Sequence, residues 1–194
     1  MPSRRVTAFF FVSILAFTAA LWLHGEPVSI NWVQKAGAPS TFMTILVAYF
    51  EKSGWAWGWV QGWLVRRPDI RGKWQMTFTS DYVDPATKEK VVTTGTFAIK
   101  QTLSTVSIKM NGDKSTGTHV SAQVEEDADG EFKLCGVYRN EPRLAERSNM
   151  VMHYGAYLLR LPEASRRPTT MEGEYWNDRG RCGSITAVRE EQAR

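Results

Sequence analysis

From Ile70 onward the dominant period is two. In Ile70-Arg71-Gly72-Lys73-Trp74-Gln75-Met76-Thr77-Phe78-Thr79 the apolar residues and Gly72 fill every even position, as in a strand with one buried face. The pattern returns in Val91–Lys100, with Gly95, Phe97 and Ile99 on one face. After a change of phase across Gln101–Thr105, which fits a bulge or a tight corner, it returns at Val106, Ile108 and Met110. Asn111-Gly112-Asp113 is a hairpin signal. Thr118–Glu125 follows, with Val120, Ala122 and Val124 on one face, and then the turn Asp127-Ala128-Asp129-Gly130. Glu131–Asn140 aligns Phe132, Leu134, Gly136 and Tyr138. Val151–Leu161, Met171–Asn177 and Cys182–Val188 close the series. The reading is eight short strands joined mostly as hairpins, without a helix. An eight-stranded antiparallel barrel removes exposed edges, and its interior is filled by side chains or holds one small ligand. An open sandwich is the alternative.

Charge separates this region from what precedes it. Of 24 Lys+Arg and 20 Asp+Glu, the first 65 residues hold only Arg4, Arg5, Lys35 and Lys52, with Glu26 and Glu51. Residues 1–65 therefore read as a membrane region and residues 66–194 as a polar β domain. Val6–Leu23 is an uncharged run of 18 residues, about 27 Å long as a helix at ~1.5 Å per residue and close to the ~30 Å hydrocarbon core. A signal peptide cleaved after Thr18-Ala19-Ala20 is the rival, but the apolar run continues past that point to Leu23. Residues 41–65 read as a second span, interrupted by Glu51-Lys52 and rich in tryptophan. Gly54, Gly58 and Gly62 recur every four residues, a ridge of small residues suited, with Glu51, to helix–helix contact. Arg4-Arg5 and Arg66-Arg67 place both basic ends inside, and hence the β domain in the cytoplasm with Cys135 and Cys182 as reduced thiols. The signal-peptide reading would instead allow these two cysteines a disulfide.

The motifs argue against catalysis. His24, His119 and His153 and the two cysteines make no metal spacing. No phosphate-binding glycine loop, nucleophile elbow or triad is evident, and no metal or cofactor is called for. The small, dispersed positive excess gives no DNA or RNA footprint. Binding has more support. By strand parity Trp74, Tyr138, His153, Tyr157 and Tyr175 share faces with Gly72, Gly136, Gly155 and Gly173. Rings beside glycines can line a cavity, or they can fill a small barrel's core. Asn140, Arg179 and Arg181 lie at strand ends, where a mouth would be. Flat rings and guanidinium donors suit a ligand with bases and phosphates.

Several stretches, in this order, resemble a known family: Arg71-Gly72-Lys73-Trp74, Gly95-Thr96-Phe97-Ala98-Ile99-Lys100-Gln101-Thr102, Tyr138-Arg139-Asn140-Glu141-Pro142, His153-Tyr154-Gly155, and Glu172-Gly173-Glu174-Tyr175-Trp176-Asn177-Asp178-Arg179. The family is that of the two-transmembrane, β-strand-rich effectors of CBASS anti-phage defence associated with CD-NTases. The resemblance implies two N-terminal transmembrane helices followed by an eight-stranded antiparallel β-barrel, without enzymatic activity. The barrel would bind a cyclic dinucleotide made by a cognate CD-NTase, form a homo-oligomer and disrupt the lipid bilayer of the bacterial inner membrane. Motif position adds Gln101 and Tyr154 to the parity set. The candidate ligand residues are then Trp74, Gln101, Tyr138, Asn140, His153, Tyr154, Tyr175 and Arg179. The competing reading is a calycin-like envelope barrel that carries an apolar small molecule.

Overall fold

A computed structural model describes residues 30–148, 150–162 and 166–190, with isolated positions 15, 16, 19, 22 and 25 before them. The proposed first span, 6–23, thus falls outside the described residues except at those positions. The chain divides into two compact units, 1–60 and 61–194.

In the first unit, α1 spans Ile30–Lys52. It begins ahead of the expected 41–65 span, runs through Pro39, and ends before the middle of that span. Ser53 leaves helical geometry with φ −144°, and Gly54–Ala56 forms a single 3-10 turn. Gly62 has φ +102°, in the left-handed region. The expected glycine ridge is therefore corrected: Gly54, Gly58 and Gly62 lie beyond the helix and do not align on one face. The physical reason is that three glycines in nine residues each cost a helix about 1 kcal/mol relative to alanine. Glu51 remains in the last helical turn. Among the described residues no helix is long and apolar enough to cross a membrane.

The second unit is a closed barrel of eight antiparallel strands in chain order. The strands are β1 Gly72–Val83, β2 Lys90–Gln101, β3 Val106–Gly112, β4 Ser115–Glu126, β5 Phe132–Pro142, β6 His153–Arg160, β7 Thr170–Asn177 and β8 Cys182–Arg189. β8 closes on β1 from Trp74↔Arg189 to Ser80↔Gly183. With an even number of strands running up and down, both termini of the barrel share one end with the β2–β3, β4–β5 and β6–β7 connections. The other four hairpins form the opposite end.

Period two holds along most strands and puts the predicted faces inside, with Trp74, Met76, Phe97, Leu134, Tyr157, Leu159 and Ile185 almost fully buried. The exception is β4. A register shift between His119 and Ser121 inverts the pattern there, so that Val120 is 65% exposed while Ala122 and Val124 still pack on the core. The expected common face of Val120, Ala122 and Val124 is thus corrected to Ala122 and Val124 with His119. A bulge adds one residue and reverses the inward side across it.

The glycines make room for rings. A Cβ on Gly136 would lie 2.4 Å from the Tyr157 hydroxyl, and one on Gly155 would lie 2.4 Å from the Tyr138 hydroxyl. Gly136 pairs with Tyr157, and Tyr138 with Gly155, across the same two strands. Each tyrosine therefore lies over the glycine opposite it. Gly173 is tighter still, with the Leu158 carbonyl oxygen 1.9 Å from a built Cβ. We expect Gly155→Ala to destabilise the protein by about 1–3 kcal/mol, as overpacking does, and Gly173→Ala to cost more because backbone cannot rotate aside. Denaturant unfolding of the detergent-solubilised full chain measures both, and a stability equal to wild type for both would contradict this packing.

Candidate functional site

The eight candidate ligand residues do not form one cluster. Trp74 and Gln101 sit at the end where the chain enters the barrel, and there they hold the chain. The Trp74 indole donates to the Ile70 carbonyl at 2.9 Å. Gln101 accepts from the Ile70 amide at 2.9 Å and donates to the Pro68 carbonyl at 2.9 Å. Arg189 stacks over the Trp74 ring, its guanidinium carbon 4.5 Å from the centroid. It also donates to the carbonyls of Asp69 (2.6 Å), Arg71 (2.5 Å) and Pro168 (2.8 Å). With Ile70 fully buried, this end is plugged by the chain's own entry segment. Tyr154 points outward and is 44% exposed.

The remaining five gather at the opposite end, where Tyr138, Asn140 and His153 are buried. Tyr138 and Asn140 are consecutive inward positions of β5, and Asn140 lies across from His153. The Tyr138 and His153 rings are 6.4 Å apart, nearly edge to face. Tyr175 follows on β7, next to Phe78 at 5.8 Å. Arg179 occupies the β7–β8 turn, where Asn177 Oδ1 accepts from its amide at 3.1 Å, and its guanidinium donates to the Val151 carbonyl beside His153. Asp178 completes the rim by accepting from the Tyr154 amide at 3.0 Å.

Electrostatics at this end favour neutral rings. Burial, with smaller contributions from Tyr175 and Asp178, pushes the Tyr138 phenol up to about 12. Burial lowers the His153 pKa and outweighs its hydrogen bond to Val151, with Arg179 acting in the same direction. Both side chains are uncharged at neutral pH, so the positive charge at the mouth rests on arginine. Asn140 is 5% exposed, and its Oδ1 is buried without a hydrogen-bond partner. An unmet buried acceptor costs about 1–3 kcal/mol, which a ligand N–H can offset.

Behind the mouth the interior is a continuous aromatic column. Tyr138 stacks on Tyr157 at 6.3 Å, Tyr157 meets Phe97 at 5.8 Å, and His119 lies 5.4 Å from Tyr157. The sequence reading missed His119 as an inward residue, because the bulge beside it reverses its parity. Only a register break detectable before pairing would have revealed it. β3 and β4 pair through only three residue pairs, and His119 Nδ1 takes over the Ile108 carbonyl at 2.8 Å. Its Nε2 and the Tyr157 hydroxyl are buried without partners.

Cys135 and Cys182 are both free. They lie on β5 and β8, three strands apart or about 14 Å at ~4.8 Å per strand. That is beyond the ~7 Å reach of a disulfide, so the cross-link that would accompany a secreted barrel is not formed.

Burial holds the His119 pKa down to about 4, against the opposing pull of the Ile108 carbonyl. The unfolded chain therefore binds a proton near pH 6.5 that the folded chain refuses until about pH 4. Stability contributed by neutral His119 is full above pH 6.5 and is lost as pH falls toward 4, by at most about 3 kcal/mol. His119→Phe should flatten that part of the profile in denaturant titrations, whereas an unchanged acid slope would exclude His119 as its source.

The comparisons with known proteins agree with this architecture. Residues 65–189 match the family described as Cap15, cyclic dinucleotide receptor domain. The chain is similar to a CD-NTase-associated protein 15 of Yersinia aleksiciae, 29% identical over 194 aligned residues that cover 94% of this chain and 86% of the relative. It is also similar to a CD-NTase-associated protein 15 of Staphylococcus schleiferi, at 22% identity over 92% of this chain and 88% of the relative. The eight-stranded barrel with its gathered aromatic end, and a family match across nearly all of it, make this chain a member of the Cap15 cyclic dinucleotide receptor domain family.

Proposed function

We propose that this protein is a membrane-attached CBASS effector whose barrel binds a cyclic dinucleotide, supplied by a cognate CD-NTase, at its open end. The observation that carries the reading is the convergence of Tyr138, Asn140, His153, Tyr175 and Arg179 there, around the unpartnered Asn140 acceptor. Tyr138 and Tyr175 offer ring faces for bases, worth about 1–3 kcal/mol per stacked base. Asn140 Oδ1 accepts from a base edge. Arg179 meets a phosphate with a planar fork of donors, which lysine cannot imitate. No bond to the ligand forms or breaks in this scheme, so the protein acts as a receptor and not as an enzyme.

The effector step is ligand-driven homo-oligomerisation followed by disruption of the inner membrane. A ligand drives assembly only by binding the associated state more tightly than the free one. Attachment is supported by the exposed surface of the first unit. Phe42, Ile45, Leu46 and Tyr49 are all largely exposed, and their spacing of three, four and seven residues places them on one helical face. Trp57 and Trp59 are also exposed, and Tyr49 and Trp57 lie ring to ring at 5.7 Å. Apolar segments with tryptophans at their ends suit a bilayer and its interface. In this arrangement the N-terminal third holds the chain at the membrane and the barrel lies in the cytoplasm.

Two measurements test the proposal. Calorimetry on the detergent-solubilised full chain with cyclic di-AMP, cyclic di-GMP, cyclic GMP-AMP and cyclic di-UMP should find at least one binder. Tyr138→Ala and Arg179→Ala should each weaken that binding by about tenfold or more. If both variants remain folded and bind as wild type does, the open end is not the site. A reporter active only in the periplasm, fused after Arg194, should stay silent, and strong activity would place the barrel on the other side of the membrane.

A further inference from the structure

Two polar side chains lie side by side inside the barrel, at the end remote from the entry segment. Asn140 of β5 and His153 of β6 are directly opposed in the antiparallel register, and both are buried, 5% and 9% exposed. Directly opposed residues hold their Cβ atoms about 4.5–5.5 Å apart on one face of a sheet, so one planar group can meet both side chains.

Each of the two presents an acceptor. Asn140 Oδ1 is buried and accepts no hydrogen bond within the protein. His153 Nδ1 lies 3.4 Å from the Val151 carbonyl oxygen. A carbonyl oxygen has no proton to give, so the proton of the neutral imidazole sits on Nδ1 and leaves Nε2 as the acceptor. Burial lowers the His153 pKa, with the Val151 bond opposing and the Arg179 charge assisting, and the ring is neutral at pH 7. The Tyr138 ring stands nearly edge to face with it at 6.4 Å.

Neighbouring acceptors select a partner with neighbouring donors. Among the common bases only guanine carries these along its Watson–Crick edge, as N1–H beside the N2 amino group. Adenine and cytosine set a ring-nitrogen acceptor beside their amino group, and uracil flanks its N3–H with carbonyl oxygens. Against Asn140 Oδ1 and His153 Nε2 each of these edges would press acceptor on acceptor. Desolvated polar groups left unpaired are what make such a site reject the wrong ligand.

We propose that Asn140 and His153 read guanine, so that the cyclic dinucleotide this protein receives contains that base. The inference rests on the reading of this end as the nucleotide site and adds the base that the site selects. Calorimetry on the detergent-solubilised full chain with cyclic di-GMP, cyclic GMP-AMP, cyclic di-AMP and cyclic di-UMP tests it. The tightest binder should contain guanine. Its counterpart with inosine in place of guanosine, which keeps N1–H and lacks the N2 amino group, should bind at least about tenfold more weakly, as when one buried acceptor is left unmet. Asn140→Leu removes an acceptor that has no partner in the unliganded protein, so its unfolding transition should not fall. Asn140→Leu and His153→Phe should each weaken the guanine ligand by about tenfold and narrow its margin over cyclic di-AMP, whereas a merely structural role would weaken all ligands alike. Cyclic di-AMP or cyclic di-UMP bound by wild type as tightly as the guanine ligands, an inosine counterpart bound as tightly as its parent, or an equal loss for every ligand in Asn140→Leu overturns the proposal. In any of these events, binding that still falls in Tyr138→Ala keeps this end as the site, and only the base assignment is lost. If no cyclic dinucleotide binds, both readings fall.

Discussion

An eight-stranded barrel has an interior just wide enough for side chains to fill it, and here the fill is set by rings laid across glycines. Tyr157 lies over Gly136 and Tyr138 over Gly155, each pair directly opposed on β5 and β6. The exchange fixes the register of these two strands twice over. A slip by one residue would place a Cβ under each ring and turn both tyrosines to the outside. The other inward aromatics then follow from contact: Phe97 and His119 pack on Tyr157, and Phe78 bridges Phe97 to Tyr175. This packing also decides between two meanings of an aromatic beside a glycine. At Gly136 and Gly155 the space above the glycine belongs to the ring itself, so the centre of the barrel there is filled and not hollow.

The same alternation that made the barrel legible in the sequence also limited what could be read from it. Period two survives wherever one face is buried, so β1 to β3 and β5 to β7 emerge with their inward residues correctly assigned. It fails at His119, where one extra residue reverses the side. Parity also cannot say at which end of a strand a residue acts. Trp74 and Tyr138 look alike as inward aromatics near glycines, yet Trp74 binds the carbonyl of Ile70 while Tyr138 lies towards the opposite end, beside His153. The distinction depends on where the chain enters the barrel, a property of closure and not of any strand. In the N-terminal third, spacing alone gave Gly54, Gly58 and Gly62 a packing role. The conformational cost of the same glycines ended the helix at Lys52 instead.

The entry end is held unusually firmly for a linker. Four consecutive carbonyls, from Pro68 to Arg71, each accept a hydrogen bond from a barrel side chain: Gln101, Arg189, Trp74 and Arg189 again. The Asp69 amide is also tied down, donating to the Arg166 carbonyl at 2.7 Å. Burial would push the Asp69 carboxyl up, but the Arg71 fork and the nearby Arg189 charge hold it below its ordinary value, so it stays an anion between the guanidiniums at neutral pH. Segments held by few contacts open most readily. This one is fixed by side chains from β1, β2 and β8, and it moves with the barrel or not at all.

That rigidity constrains any mechanism in which a ligand at one end alters the other. Towards the entry segment the interior holds Tyr138 stacked on Tyr157 and Tyr157 against Phe97, and Phe97 is the cross-strand partner of Trp74 in the register of β1 and β2. A close-packed column does not absorb a displacement by compressing. A ligand seated against Tyr138 either leaves the column in place and acts through the rim, or shifts it as a body as far as Trp74 and the carbonyl that Trp74 holds. The second would break the Trp74–Ile70 hydrogen bond, which costs about 1 kcal/mol and leaves a buried donor unmet. A displacement confined to the rim is therefore the less costly of the two.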